Sequence, residues 1–85
     1  MKQFDYVIQD ALGIHARPAG MLAKLAKEFE SSVQITKADK TVSATQLLML
    51  MGLGVKQGDT IGFTIEGPDE DAAATAIQEF LSKNL

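Results

Sequence analysis

The 85-residue chain has no cysteine, no tryptophan and one histidine, and these shortages narrow its chemistry before any pattern is read. Without cysteine there are no disulfides and no thiolate metal sites. A zinc site would have to rest mainly on carboxylates, against that metal's preference for nitrogen and sulfur, so neither a metal nor a cofactor is expected. Positive charge is also in short supply. Eight Lys and Arg against eleven Asp and Glu give a net charge of −3 and a pI near 4.9, the wrong balance for a surface that displaces counterions from nucleic acid. One Tyr and four Phe leave little with which to stack bases. No apolar run approaches membrane-spanning length, and no charged head, apolar core and small-residue cleavage site follow one another. A soluble cytoplasmic protein with no membrane insertion is the expectation. With two prolines and seven glycines there is no linker, repeat or low-complexity stretch, and the length allows one domain spanning residues 1–85.

What is present reads as alternating elements. Phe4, Tyr6 and Ile8 alternate with polar neighbours over Lys2 to Ile8, the period of a half-buried strand. Gly13 marks a loop, and Ala16 to Phe29 is rich in helix formers. There Ala19, Leu22, Leu25, Ala26 and Phe29 share one arc, while Arg17, Gly20, Lys24 and Lys27 fall outside it, so the helix is apolar within and basic without. Val33, Ile35 and Val42 predict two strands around a turn at Ala38, Asp39 and Lys40. Gln46 to Leu53 is apolar almost all round, in about two helical turns that cannot bury every side. Ile61, Phe63 and Ile65 give a strand over Thr60 to Glu66. Gly67 and Pro68 stop it, and Asp69 is placed to cap a last helix with Ala73, Ala76, Ile77, Phe80 and Leu81 on its apolar stripe. The order strand, helix, strand, strand, helix, strand, helix fits a two-layer α+β sandwich, with strand order left open.

His15 is the only side chain that titrates near neutral pH or serves readily as a neutral nucleophile. It stands in Gly13-Ile14-His15-Ala16-Arg17-Pro18-Ala19. Pro18 suits a first helical turn and biases Arg17 away from the α region, which puts His15 and Ala16 at a helix entrance. Amides there lack intrahelical partners and carry the positive end of the helix dipole, a ready anion site. Arg17 can add charge-assisted hydrogen bonds to the same anion, and the positive dipole end favours the neutral ring as nucleophile. No second base, acidic dyad, nucleotide loop or metal cluster accompanies it, so the chain reads as a relay without turnover of its own.

The full string around His15 resembles the phosphorylation-site motif of the HPr family, the histidine-containing phosphocarriers of the bacterial phosphoenolpyruvate-dependent sugar phosphotransferase system. Lys40-Thr41-Val42, Leu53-Gly54-Val55 and Glu66-Gly67-Pro68-Asp69-Glu70 carry the resemblance over nearly the whole chain. It implies an open-faced sandwich, with a four-stranded antiparallel sheet in the order 1-4-2-3 and three helices on one face. It further implies that His15 takes a phosphoryl group on Nδ1 from phospho-enzyme I and passes it to IIA domains of sugar permeases. Arg17 then steadies the phosphate, while Ala16 and Pro18 shape the site. Gly20, Met21, Lys24, Lys27, Leu47, Leu48 and Met51 form the implied partner surface, and the protein is a monomer. By helical angle Leu47, Leu48 and Met51 share one side of their short segment, and Leu50 and Leu53 lie toward another. Many Gram-positive relatives carry a regulatory serine where this chain has Gln46, which cannot accept phosphate. A carrier in a nitrogen-regulatory branch and a non-covalent interaction module presenting Leu47, Leu48 and Met51 are the alternatives left open.

Overall fold

The structure is a computed structural model that describes residues 1–85. Its elements run β1 (Lys2–Val7), α1 (Ala16–Lys27), β2 (Ser32–Lys37), β3 (Lys40–Ser43), α2 (Leu47–Gly52), β4 (Thr60–Glu66) and α3 (Glu70–Asn84). The strands form one antiparallel sheet in the order β1-β4-β2-β3, the order implied by the family resemblance.

The register explains why only one face of this sheet is covered. Phe4 pairs with Phe63, Phe63 with Ile35 and Ile35 with Val42, making an apolar row across all four strands. Phe4 and Phe63 stack with ring centroids 5.0 Å apart. The next row on the opposite face is Asp5, Gly62, Thr36 and Thr41, and a neighbouring one is Gln3, Thr64, Gln34 and Ser43. Because side chains alternate along a strand, every apolar row must point to the helices and every polar row to water. Leu22 and Ala26 of α1, Leu50 of α2, and Ile77 and Leu81 of α3 close the core over Val33, Ile35, Ile61, Phe63 and Ile65.

Four local expectations are revised. Helix α1 ends at Lys27, and Phe29 packs against the core from the turn beyond it. The Glu28 N–H bonds back to the Leu25 carbonyl at 3.0 Å and the Phe29 N–H to the Ala26 carbonyl at 3.4 Å, tightening the last turn and ending the helix. Helix α2 covers only Leu47–Gly52, with Gln46 and Leu53 as its caps. The β2–β3 turn is the two residues Ala38 and Asp39, and Lys40 already pairs with Lys37. Asp69 occupies the N-cap position of α3 but makes no side-chain capping bond. Its carboxylate instead accepts from the Glu30 N–H at 2.9 Å, the Ser31 N–H at 2.9 Å and the Ser31 hydroxyl. It thus pins the α1–β2 connection to the start of α3.

Candidate functional site

His15 is the N-cap residue of α1, with an extended backbone at φ −106° and ψ 179°. The loop before it is fixed from two sides. Gly13 N–H donates to the Asp10 carbonyl at 2.9 Å, and Ile14 N–H donates to the Val55 carbonyl at 3.2 Å. Ile14 is buried, so the chain is anchored one residue before the histidine while the His15 ring stays a third exposed.

The helix entrance has the makings of an anion cradle. The first intrahelical bond runs from Ala19 N–H to the His15 carbonyl at 2.9 Å. Ala16 and Arg17 precede that bond, so their amides have no carbonyl within the helix to reach, and Pro18 brings no N–H at all. There is no acidic residue in the first turn, so no carboxylate of the helix itself competes for the positive end of the dipole. Arg17 is helical although it precedes Pro18, because the buried Pro18 ring sits in the first turn, upstream of any intrahelical bond it could break. The Arg17 guanidinium is exposed and rests on Met21, with Nη1 3.8 Å from the sulfur.

The residues read as a partner surface are distributed as follows. Gly20, Lys24 and Lys27 of α1, with Leu47 and Leu48 of α2, line one groove of about 380 Å³ between the two helices. Met21 and Met51 lie outside that groove's lining but are exposed. Leu48 stands 82% exposed while Leu50, two residues on, is fully buried. A larger depression of about 530 Å³ lies on the open sheet face around Gly62 and is lined by neither His15 nor Arg17. No three His, Cys, Asp or Glu side chains come together as a metal site.

Two features escaped the sequence reading. Asp10 places Oδ1 3.8 Å from His15 Nε2; five residues upstream in an irregular loop, it carries no periodic signal linking it to the histidine. Leu12 and Met49 are also exposed, at 72% and 54%, although neither was among the residues expected at the partner surface. The apolar run of α2 was a signal for Met49; nothing in the sequence marked Leu12.

One titratable ring at the entrance of an acid-free helix, on a sandwich with one open face, has the architecture of a small histidine phosphocarrier. The description of the PTS HPr component phosphorylation site matches residues 2–83. Phosphocarrier protein HPr of Mycoplasma genitalium is 39% identical over 85 residues, covering 99% of this chain and 97% of that protein. The HPr of Lysinibacillus sphaericus is 37% identical over 83 residues, with 98% and 94% covered. The crystal structure of HPr-C-His from Thermoanaerobacter tengcongensis superposes with a TM-score of 0.92 at 34% identity, covering 96% of this chain and 92% of that one. A crystal structure of an HPr dimer from the same organism gives 0.78 at 34% identity, with 98% and 95% covered. The chain belongs to the HPr family. It is a phosphocarrier of the phosphotransferase system rather than an enzyme with independent turnover.

Proposed function

We propose that this phosphocarrier accepts its phosphoryl group on His15 Nδ1 from phospho-enzyme I and hands it to IIA domains of sugar permeases. The observation that carries this reading is His15 at the entrance of an acid-free helix, beside the unpartnered amides of Ala16 and Arg17. Phosphorylation adds negative charge beside those donors, which suit it without a covalent bond that would trap it. Arg17 supplies the charged donor, and Pro18 keeps the entrance free of a further N–H. Gly20, Met21, Lys24, Lys27, Leu47, Leu48 and Met51 meet the partners, the lysines through charge and the leucines and methionines through apolar contact.

The protein works in the cytoplasm, where phosphoenolpyruvate and enzyme I are found. No helix is long and apolar enough to cross a membrane. It acts as a monomer, with the exposed apolar side chains of α2 given over to its partners. Gln46, exposed at the entrance of α2, leaves no serine there for a kinase, and incubation with HPr kinase and ATP should leave the mass unchanged. Incubation with phosphoenolpyruvate and enzyme I should add one acid-labile phosphate to the wild type and none to His15→Ala. An unmodified wild type overturns the proposal.

A further inference from the structure

The loop between β1 and α1 contains a carboxylate that is held in place and aimed at the histidine. Asp10 Oδ1 accepts the Leu12 N–H at 2.8 Å, an Asx turn that fixes the side chain. The Asp10 carbonyl takes the Gly13 N–H at 2.9 Å, and the Asp10 N–H donates to the Leu85 carbonyl at 2.9 Å. Backbone and side chain are therefore both tied down, and the carboxylate is only 30% exposed. Of the two ring nitrogens of His15, Nε2 is the one facing it, at 3.8 Å. That separation is too long for a hydrogen bond but well within the range of a charge interaction. The other nitrogen, Nδ1, makes no bond to any protein group.

We propose that Asp10 is a positioning residue for phosphoryl transfer: it holds the His15 proton on Nε2 and so leaves the Nδ1 lone pair free to attack phosphorus. The inference rests on the reading of His15 as acceptor and deepens it. In the forward step the Nδ1–P bond forms as the donor's bond to phosphorus breaks. The proton stays on Nε2 throughout. The phosphorylated ring then bears a formal positive charge, and Asp10 faces the nitrogen that shares it. In the onward step the N–P bond breaks, its electron pair returns to Nδ1, and the ring regains its starting tautomer with no proton transferred to solvent. A neutral ring with its proton on Nδ1 would have no lone pair there to offer, so the placement of this carboxylate bears directly on the fraction of carrier able to react.

Asp10→Asn is the informative variant because the amide oxygen can still accept the Leu12 N–H, preserving the turn while removing the charge. Two readouts are taken on ¹⁵N-histidine-labelled protein: the His15 tautomer from long-range ¹⁵N–¹H correlations, and the initial rate of phosphoryl acceptance from phosphoenolpyruvate and enzyme I over a range of carrier concentrations. The expected result is a larger Nδ1–H fraction and a maximal rate lower by about three- to tenfold, the scale of one charge at this distance when water screens it, as it does for two side chains about a third exposed. KM should stay within about twofold, since Asp10 is not placed in the docking groove. An unchanged tautomer and rate overturn the proposal, as does a loss confined to KM. If the wild type itself accepts no phosphoryl group, the carrier reading fails, and the tautomer measurement still decides the role of Asp10.

Discussion

At Gly13 the backbone adopts φ +67° and runs so close to the neighbouring loop that an added Cβ would collide with the Val55 carbonyl oxygen and lie 2.8 Å from Lys56 Cα. Both partners are backbone, so neither can swing away. Gly13→Ala would combine the cost of a left-handed conformation for a residue with a Cβ and that of overpacking, about 2–4 kcal/mol in all. Urea unfolding followed by circular dichroism should show that loss. Relief of the clash must also separate Ile14 from Val55, the contact that sets His15 on its helix, so phosphoryl acceptance should fall even in the fraction that remains folded. A stable and fully active Gly13→Ala would show that the loop does not depend on this close approach. The sequence identified Gly13 only as loop punctuation. Its collision partner lies some forty residues away, and no local pattern reports a contact of that kind.

Among the elements, α2 separates stability from docking within two neighbouring side chains. Leu50 is fully buried, and Leu50→Ala should cost about 2–4 kcal/mol as its cavity collapses only in part. Leu48 is 82% exposed, so Leu48→Asp should change stability by no more than about 0.5 kcal/mol. In a titration against enzyme I, that same variant should lose binding while Lys24 and Lys27 remain in place; wild-type affinity would remove α2 from the docking surface. The β2–β3 hairpin gives an independent prediction. Ala38, the first residue of its two-residue turn, has φ +56°, where tight hairpins favour glycine. Ala38→Gly should relieve about 1–2 kcal/mol of backbone cost and give back about 0.4–1 through the freer unfolded chain. The net gain, at most about 1.6 kcal/mol, should appear as a higher urea midpoint with an unchanged slope. Alternation in β1 and β4 and the apolar excess of α2 were legible because burial follows period, which a sequence displays directly. The sign of φ at Ala38 was not legible, since alanine carries no turn signal and the strand register imposes the conformation.

Across the whole molecule, carboxylates tie segments that are distant in sequence. Asp69 holds the amides of Glu30 and Ser31 and the Ser31 hydroxyl. Asp59 receives the Lys56 N–H at 2.9 Å and the Lys37 ammonium at 3.0 Å, linking the loop before β4 to the β2–β3 hairpin. Glu70 takes the N-terminal ammonium at 2.6 Å and the Gly67 N–H at 3.2 Å. Each carboxyl is held below its ordinary pKa, chiefly by the Ser31 hydroxyl bond at Asp69, by the Lys56 amide at Asp59 and by the N-terminal ammonium at Glu70. The folded state therefore binds these protons less readily than the unfolded chain. Their stabilisation is fully present above the ordinary carboxyl range, near pH 4, and is lost as pH falls through the lower folded values. Unfolding free energy should consequently show little slope from these groups above about pH 5 and should decline below about pH 4. Asp69→Asn isolates one of them. The variant should be less stable than wild type at pH 7, and the gap should narrow at pH 3 as Asp69 itself becomes protonated in the wild type. Urea titrations of both proteins at the two pH values measure that gap directly. A gap that stays constant would mean that Asp69 acts through shape alone, because only its ionised form can accept the three donors without meeting a proton of its own.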